Sequence, residues 1–197
     1  MAVLTQTACK HQIIFRHFLE QVYAIKPTLY DKSQISFHPL KFSKSIRKHH
    51  CEDVLGQIFG QWPPSVANPF VLPAVLYGCF QANESLFHTR ELVEIAQFQC
   101  LEMQIPCPIV ISAILLAKTS EERVRAVEKL IVLGANQDAL CISSNIDHLK
   151  CTAPAVRDVI TIFEGVSPLI VAVAVNDYQL IHTLLKLHAN PLLVCSI

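Results

Sequence analysis

The chain has 197 residues, of which 52 % are hydrophobic and 16 % charged. Ordinary domains carry about a quarter charged residues, and so apolar a composition argues against disorder over most of the length. Only five glycines are present, which argues against a Gly-rich phosphate loop or a collagen-like chain. Sixteen Lys/Arg balance 16 Asp/Glu, so a globally basic nucleic-acid binder is not expected. The length suits one domain, or one domain with a helical appendage.

The charge balance hides an asymmetry. Residues 1–60 carry eight Lys/Arg against four Asp/Glu, and the remainder carries eight against 12. The basic excess concentrates at Lys41, Lys44, Arg47 and Lys48. As a functional patch it suits an anion, a phospholipid or an acidic partner; as plain structure it is the solvated start of a helix. Phe42 is the single aromatic there and gives no run of stacking faces for bases, so nucleic acid is not an expected partner.

In chain order, residues 6–25 place Ile14, Phe18, Leu19 and Val22 on one helical face. Lys26-Pro27 ends that helix, because proline disfavours helix in the residue before it. Residues 26–43 read as a connector, and a second helix is expected over 45–61, with Cys51, Val54, Leu55, Ile58 and Phe59 on one face. Trp62-Pro63-Pro64 then breaks the chain. The expected organisation is an N-terminal helical segment over 1–64 and a second domain over 65–197. Trp62 is expected to pack over a helix end.

After Pro64, apolar segments alternate with amphipathic ones: 70–80 with 88–101, 108–117 with 120–133, and 167–175 with 177–187. A helix that is apolar nearly all round must be buried between neighbours. Paired helices repeating along a chain point to a solenoid, in which each unit hides its core against the next.

The last pair is the most informative. It runs Ser167-Pro168-Leu169-Ile170-Val171-Ala172-Val173, then Asn176-Asp177-Tyr178-Gln179-Leu180-Ile181, then Leu184-Leu185-Lys186-Leu187-His188-Ala189-Asn190-Pro191. Ser167 can cap the first helix and Pro168 suits its first turn. Asn176 tolerates a left-handed turn. This segment resembles an ankyrin repeat, whose pattern opens T-P-L-H-x-A-A and closes G-A-D/N-P after a Leu-rich second helix. It departs from that pattern at Ile170, Val173 and His188, so His188 must either accept a strained turn or relax it. A second copy opens at Cys107-Pro108 and closes with Leu133-Gly134-Ala135-Asn136. It is longer inside, with 27 residues from Cys107 to Gly134 against 21 from Ser167 to His188. An insertion is expected near 139–166, including a short helix over 155–163. A third, degenerate copy covers 68–102. The expected fold class is all-α, a short ankyrin-like helical solenoid with an N-terminal helical segment. The competing architecture is a generic helical bundle whose turns use proline and Gly-Ala-Asn.

The resemblance implies a non-catalytic adaptor that binds a partner protein through inter-repeat turns and first helices. The candidate binding residues are then Gln137, Asp138, Asn176, Asp177 and Tyr178. Each also has a plain role in turn chemistry. Irregular ankyrin-like proteins are common among effectors that intracellular bacteria inject into hosts, which makes host cytoplasm an alternative location. The apolar residues Leu192, Leu193, Val194 and Ile197 leave the last repeat without a polar cap, so a homodimer, a bound partner or a longer chain is expected.

Eight cysteines are present, but no C-x-x-C. The N-terminus lacks an apolar signal core, so a reducing, cytoplasmic setting and thiols acting as small apolar residues are expected. His49-His50-Cys51-Glu52 diverges around a helix, so no metal site is expected there, and no cofactor is implied. No membrane span is expected, since the longest apolar stretches fall short of ~18 residues. The alternative function is a cysteine-dependent enzyme using Cys51 with His49 or His50, or Cys151 with His148 and Asp147. No glycine elbow flanks a serine, and catalytic groups are usually assembled from distant segments, so no catalytic residue is assigned.

Overall fold

The computed structural model describes Ser43, Arg47 and residues 52–68, 70–83, 85–102, 108–142 and 165–193. Several expectations fall outside these residues: the helix over 6–25, the patch residues Lys41, Lys44 and Lys48, the His49-His50-Cys51 cluster, the group around Cys151, and the helix over 155–163. What is described is mostly helical. In chain order the elements are α1 (Glu52–Gln61), α2 (Val71–Cys79), α3 (Arg90–Glu102), α4 (Ile109–Leu116), α5 (Ser120–Val132), β1 (Cys141–Ile142), β2 (Gly165–Val166), α6 (Pro168–Ala174) and α7 (Tyr178–Lys186). Ser43 and Arg47 are also helical, so helical geometry is present ahead of the expected start at Ser45.

The helices end where the sequence carries a local reason. Ser167 Oγ accepts from the Ile170 amide at 3.3 Å and caps α6, whose first residue is Pro168. Thr119 Oγ1 accepts from the Glu122 amide and caps α5, while the Glu122 carboxylate accepts from the Lys118 amide at 2.7 Å. Together these bonds satisfy donors that a helix start leaves open. At the other end, Gly134 has φ 96° and His188 has φ 65°. The same two hydrogen bonds follow in each case. Gly134 N donates to Ile131 O and Ala135 N to Leu130 O; His188 N donates to Leu185 O and Ala189 N to Leu184 O. His188 therefore accepts the left-handed turn rather than relaxing it. Asn176, with φ 55°, takes the left-handed turn between α6 and α7.

Helices α2 and α3 pack as a pair, as do α4 with α5 and α6 with α7. Helix α4 also lies against α2 and α6, and α5 lies against α7. This placement explains why VLPAVLYGC and IVISAILL lack a polar face. All of α2 is buried, and every residue of α4 except Leu115 is buried. Each large aliphatic side chain removed from water contributes about 1.5–3 kcal/mol. Gly78 lets the segment before α3 approach α2 closely: a Cβ there would lie 3.2 Å from both the Phe87 carbonyl carbon and Ser85 Oγ, so its neighbours would have to give by a few tenths of an ångström.

Helix α6 departs from the expectation of a helix buried all round. Pro168, Val171 and Ala172 are buried, but Val173 is 58 % exposed. The helix packs on α4 and α7 and leaves its far side open. The antiparallel pair β1–β2, joining Cys141 to Val166 and Ile142 to Gly165, was not expected. It brings together the two ends of the region read as an insertion.

Candidate binding surface

The five candidate turn residues divide into two groups. Tyr178 is 76 % exposed and Asn176 is exposed. Gln137 is half-buried. Asp138 and Asp177 instead hold the protein together. Asp138 Oδ1 accepts from the Asn190 amide at 2.8 Å, tying the turn after α5 to the turn after α7. A parallel tie sits one unit earlier: Gln97 of α3 accepts from the Asn136 amide at 2.8 Å and donates to Gly134 O at 3.2 Å.

Asp177 is 5 % exposed. Its Oδ1 accepts from the Leu180 amide at 3.0 Å, capping α7, and from the Ser120 hydroxyl at 2.6 Å. Its Oδ2 meets Arg123 Nη1 at 3.0 Å. Burial works against ionisation of this carboxyl, but the Ser120, Leu180 and Arg123 hydrogen bonds and the Arg123 charge hold it below the usual carboxylate range. An acid whose lone pairs are already engaged has little left to offer a partner, so Asp177 acts through the fold.

Arg47, from the basic group, is likewise turned into the protein. Its guanidinium lies 4.1 Å from the Phe80 ring centroid, donates to Leu116 O at 2.9 Å and pairs with Glu122. The Arg47 side chain is only 17 % exposed. Burial opposes ionisation of Glu122, but the Arg47 hydrogen bond, the Lys118 and Thr119 bonds and the Arg47 charge hold it below its ordinary value. Glu122 thus ties Arg47 to the first turn of α5.

The thiols of Cys79 and Cys100 are buried, and burial pushes each up to about 12. Such thiols are not nucleophiles at neutral pH. Cys141 is buried as well. Among the described residues no group of three His, Cys, Asp or Glu is placed to hold a metal ion. No helix among them is long and apolar enough to cross a membrane. His88 has a buried Nε2 without a hydrogen-bond partner. Burial and then the nearby Lys129 charge lower its pKa. Trp62 meets Phe70 edge-on at 6.3 Å and stays half-exposed, at the start of α2.

Sequence reasoning missed the ties made by Ser120, Arg123, Gln97 and Gln99. Their partners lie far along the chain and leave no local signal. It also missed the open side of α6 and α7, which Val173 and Leu185 (44 % exposed) mark most clearly. That side is readable only after the neighbours of each helix are known. No protein-family model, no curated protein and no solved structure matches the chain.

Proposed function

We propose that the chain is a non-catalytic adaptor whose helix pairs stack as an irregular ankyrin-like solenoid and bind a partner protein through the turns between pairs. The observation that carries the reading is the repeated closing turn. Gly134-Ala135-Asn136 and His188-Ala189-Asn190 end successive amphipathic helices with the same hydrogen bonds. Each asparagine side chain also accepts from the amide two residues on: Asn136 from Asp138, and Asn190 from Leu192. The packing of α4 between α2 and α6, with α5 against α7, supports units that share a core with their neighbours. Tyr178 supplies the aromatic anchor of the surface, Gln137 and Asn176 its polar rim. Asp138 and Asp177 set the positions of the turns that carry them.

Affinity capture with the full chain, compared with Gln137→Ala and Tyr178→Ala, tests the binding role. The expected result is a protein retained by the parent chain and lost with the tyrosine variant. Identical recovery on all three proteins would count against this surface. The competing cysteine-enzyme reading is tested by a thiol-directed probe with Cys51→Ala and Cys151→Ala controls. Fast labelling abolished by either substitution would favour the enzyme, and slow uniform labelling would favour the adaptor.

A further inference from the structure

The open side of α6–α7 has a counterpart one unit earlier that is covered. Ala135 N bonds Leu130 O as Ala189 N bonds Leu184 O, which aligns Val127 with Ile181 and Ile131 with Leu185. Ser112 N bonds Pro108 O as Val171 N bonds Ser167 O, which aligns Ile111 and Ile114 with Ile170 and Val173. Val127 and Ile111 are 0 % exposed, Ile114 is 1 % exposed and Ile131 is half-buried. In the last unit, Ile170 and Ile181 are only half-buried, while Val173 is 58 % and Leu185 44 % exposed. On α7, Ile181 and Leu185 are one turn apart and form a stripe. The face therefore has the chemistry of a helix-packing surface.

Its charge selects the occupant. Residues 165–193 contain one carboxylate, Asp177, and that group is buried and paired with Arg123. The exposed polar residues flanking the stripe on α7 include His182 and Lys186. A second copy using the same segment would offer Lys186 no free carboxylate, because Asp177 is the only one within residues 165–193 and is engaged by Arg123.

We propose that the Ile170–Val173–Ile181–Leu185 face receives an amphipathic helix of a partner protein that carries carboxylates beside its apolar stripe. Such a helix reproduces the packing that α6 and α7 give to α4 and α5, and it places acidic side chains against Lys186. The proposal rests on the repeat reading above but concerns the end of the stack rather than the turns.

The test is panning of a displayed library of helical peptides against the full chain, followed by binding measurements on the enriched peptides. Enrichment of peptides with apolar residues at i, i+3/i+4 and i+7 flanked by Asp or Glu is expected. Binding should weaken about ten-fold for Leu185→Asp and about three-fold for Lys186→Glu, and hold for Glu91→Gln, an exposed position on α3. Circular dichroism and urea midpoints matching the parent show that the variants fold; the exposed Lys186→Glu change keeps the test available if Leu185→Asp does not. No enrichment, or enrichment of basic peptides, overturns the proposal. A concentration-dependent dimer in light scattering that Leu185→Asp abolishes also overturns it, in favour of a second copy. Peptides indifferent to Leu185→Asp and Lys186→Glu but lost with Tyr178→Ala would remove the end-face site and leave the turn surface standing.

Discussion

The Arg123 guanidinium meets the Asp177 carboxylate at 3.0 Å, joining α5 to the first turn of α7. The same carboxylate caps α7 and accepts from Ser120. One side chain thus ends a turn, starts a helix and fastens two helix pairs together. Asp177→Ala removes the cap, at about 1 kcal/mol, and charge-assisted hydrogen bonds that contribute about 1.5–3 kcal/mol. Urea unfolding is expected to show a loss of about 3 kcal/mol. Asp177→Asn keeps the cap and is expected to lose less. A loss below about 1 kcal/mol for the alanine variant would show that the tie contributes little.

A second expectation concerns the two closing turns. His188 holds φ 65° and Gly134 holds φ 96°, in a region that costs a side-chain-bearing residue roughly 1 kcal/mol or more. His188→Gly should stabilise the protein by about 0.5–1 kcal/mol, after allowing for the extra freedom glycine gives the unfolded chain. Gly134→Ala should cost about 1 kcal/mol. Space does not enter, because a Cβ at Gly134 would meet nothing within 4 Å. Equal and opposite shifts in urea midpoint are the signature; destabilisation by His188→Gly would mean that its ring makes a contact worth more than the strain.

These turns mark how far the sequence could be read. Helix starts and stops were legible because Pro63-Pro64, Pro108, Pro168, Gly134 and Asn176 act within their own few residues. The apolar character of α2 and α4 likewise announced burial on every side. The site was less legible, because a turn position does not reveal which way its side chain faces. Asp177 and Tyr178 are neighbours, yet one is 5 % and the other 76 % exposed. The difference comes from Ser120 and Arg123, which lie more than fifty positions away. Arg47 was read with its basic neighbours for the same reason: Glu122 and Phe80 reach it only in three dimensions. The two-residue strands β1 and β2 are too short for any period to show.

Gln99 offers a third expectation. It is fully buried in α3. Its Oε1 accepts from the Leu72 amide at 3.1 Å, and its Nε2 donates to Val66 O at 3.0 Å and Asn68 O at 2.5 Å. One amide thereby satisfies the open start of α2 and the turn before it. Gln99→Leu keeps the volume but strands buried backbone groups, each costing about 1–3 kcal/mol. A loss of about 2–3 kcal/mol in urea unfolding is expected, with faster hydrogen exchange at the Leu72 amide. Exchange unchanged at Leu72 would mean that another acceptor has taken over.

Acid should weaken the fold in two stages. His88 has a folded pKa below its ordinary 6.5, through burial and Lys129, so the unfolded chain binds the proton more readily. Its contribution is complete above pH 6.5 and is lost as pH falls from there toward the lowered folded value. Glu122 and Asp177 have folded values below their ordinary 4.5 and 3.8. Their contribution is complete above those values and is lost as pH falls further. Urea midpoints should therefore decline gently between pH 7.5 and 5 and steeply below about 4.5. His88→Gln should flatten the first stage and leave the second, whereas Asp177→Asn should shrink the second and leave the first. A midpoint that rises between pH 7.5 and 5 in the parent chain would contradict the placement of His88 beside Lys129, since a protonated imidazole there meets the Lys129 charge and has no acceptor for Nε2.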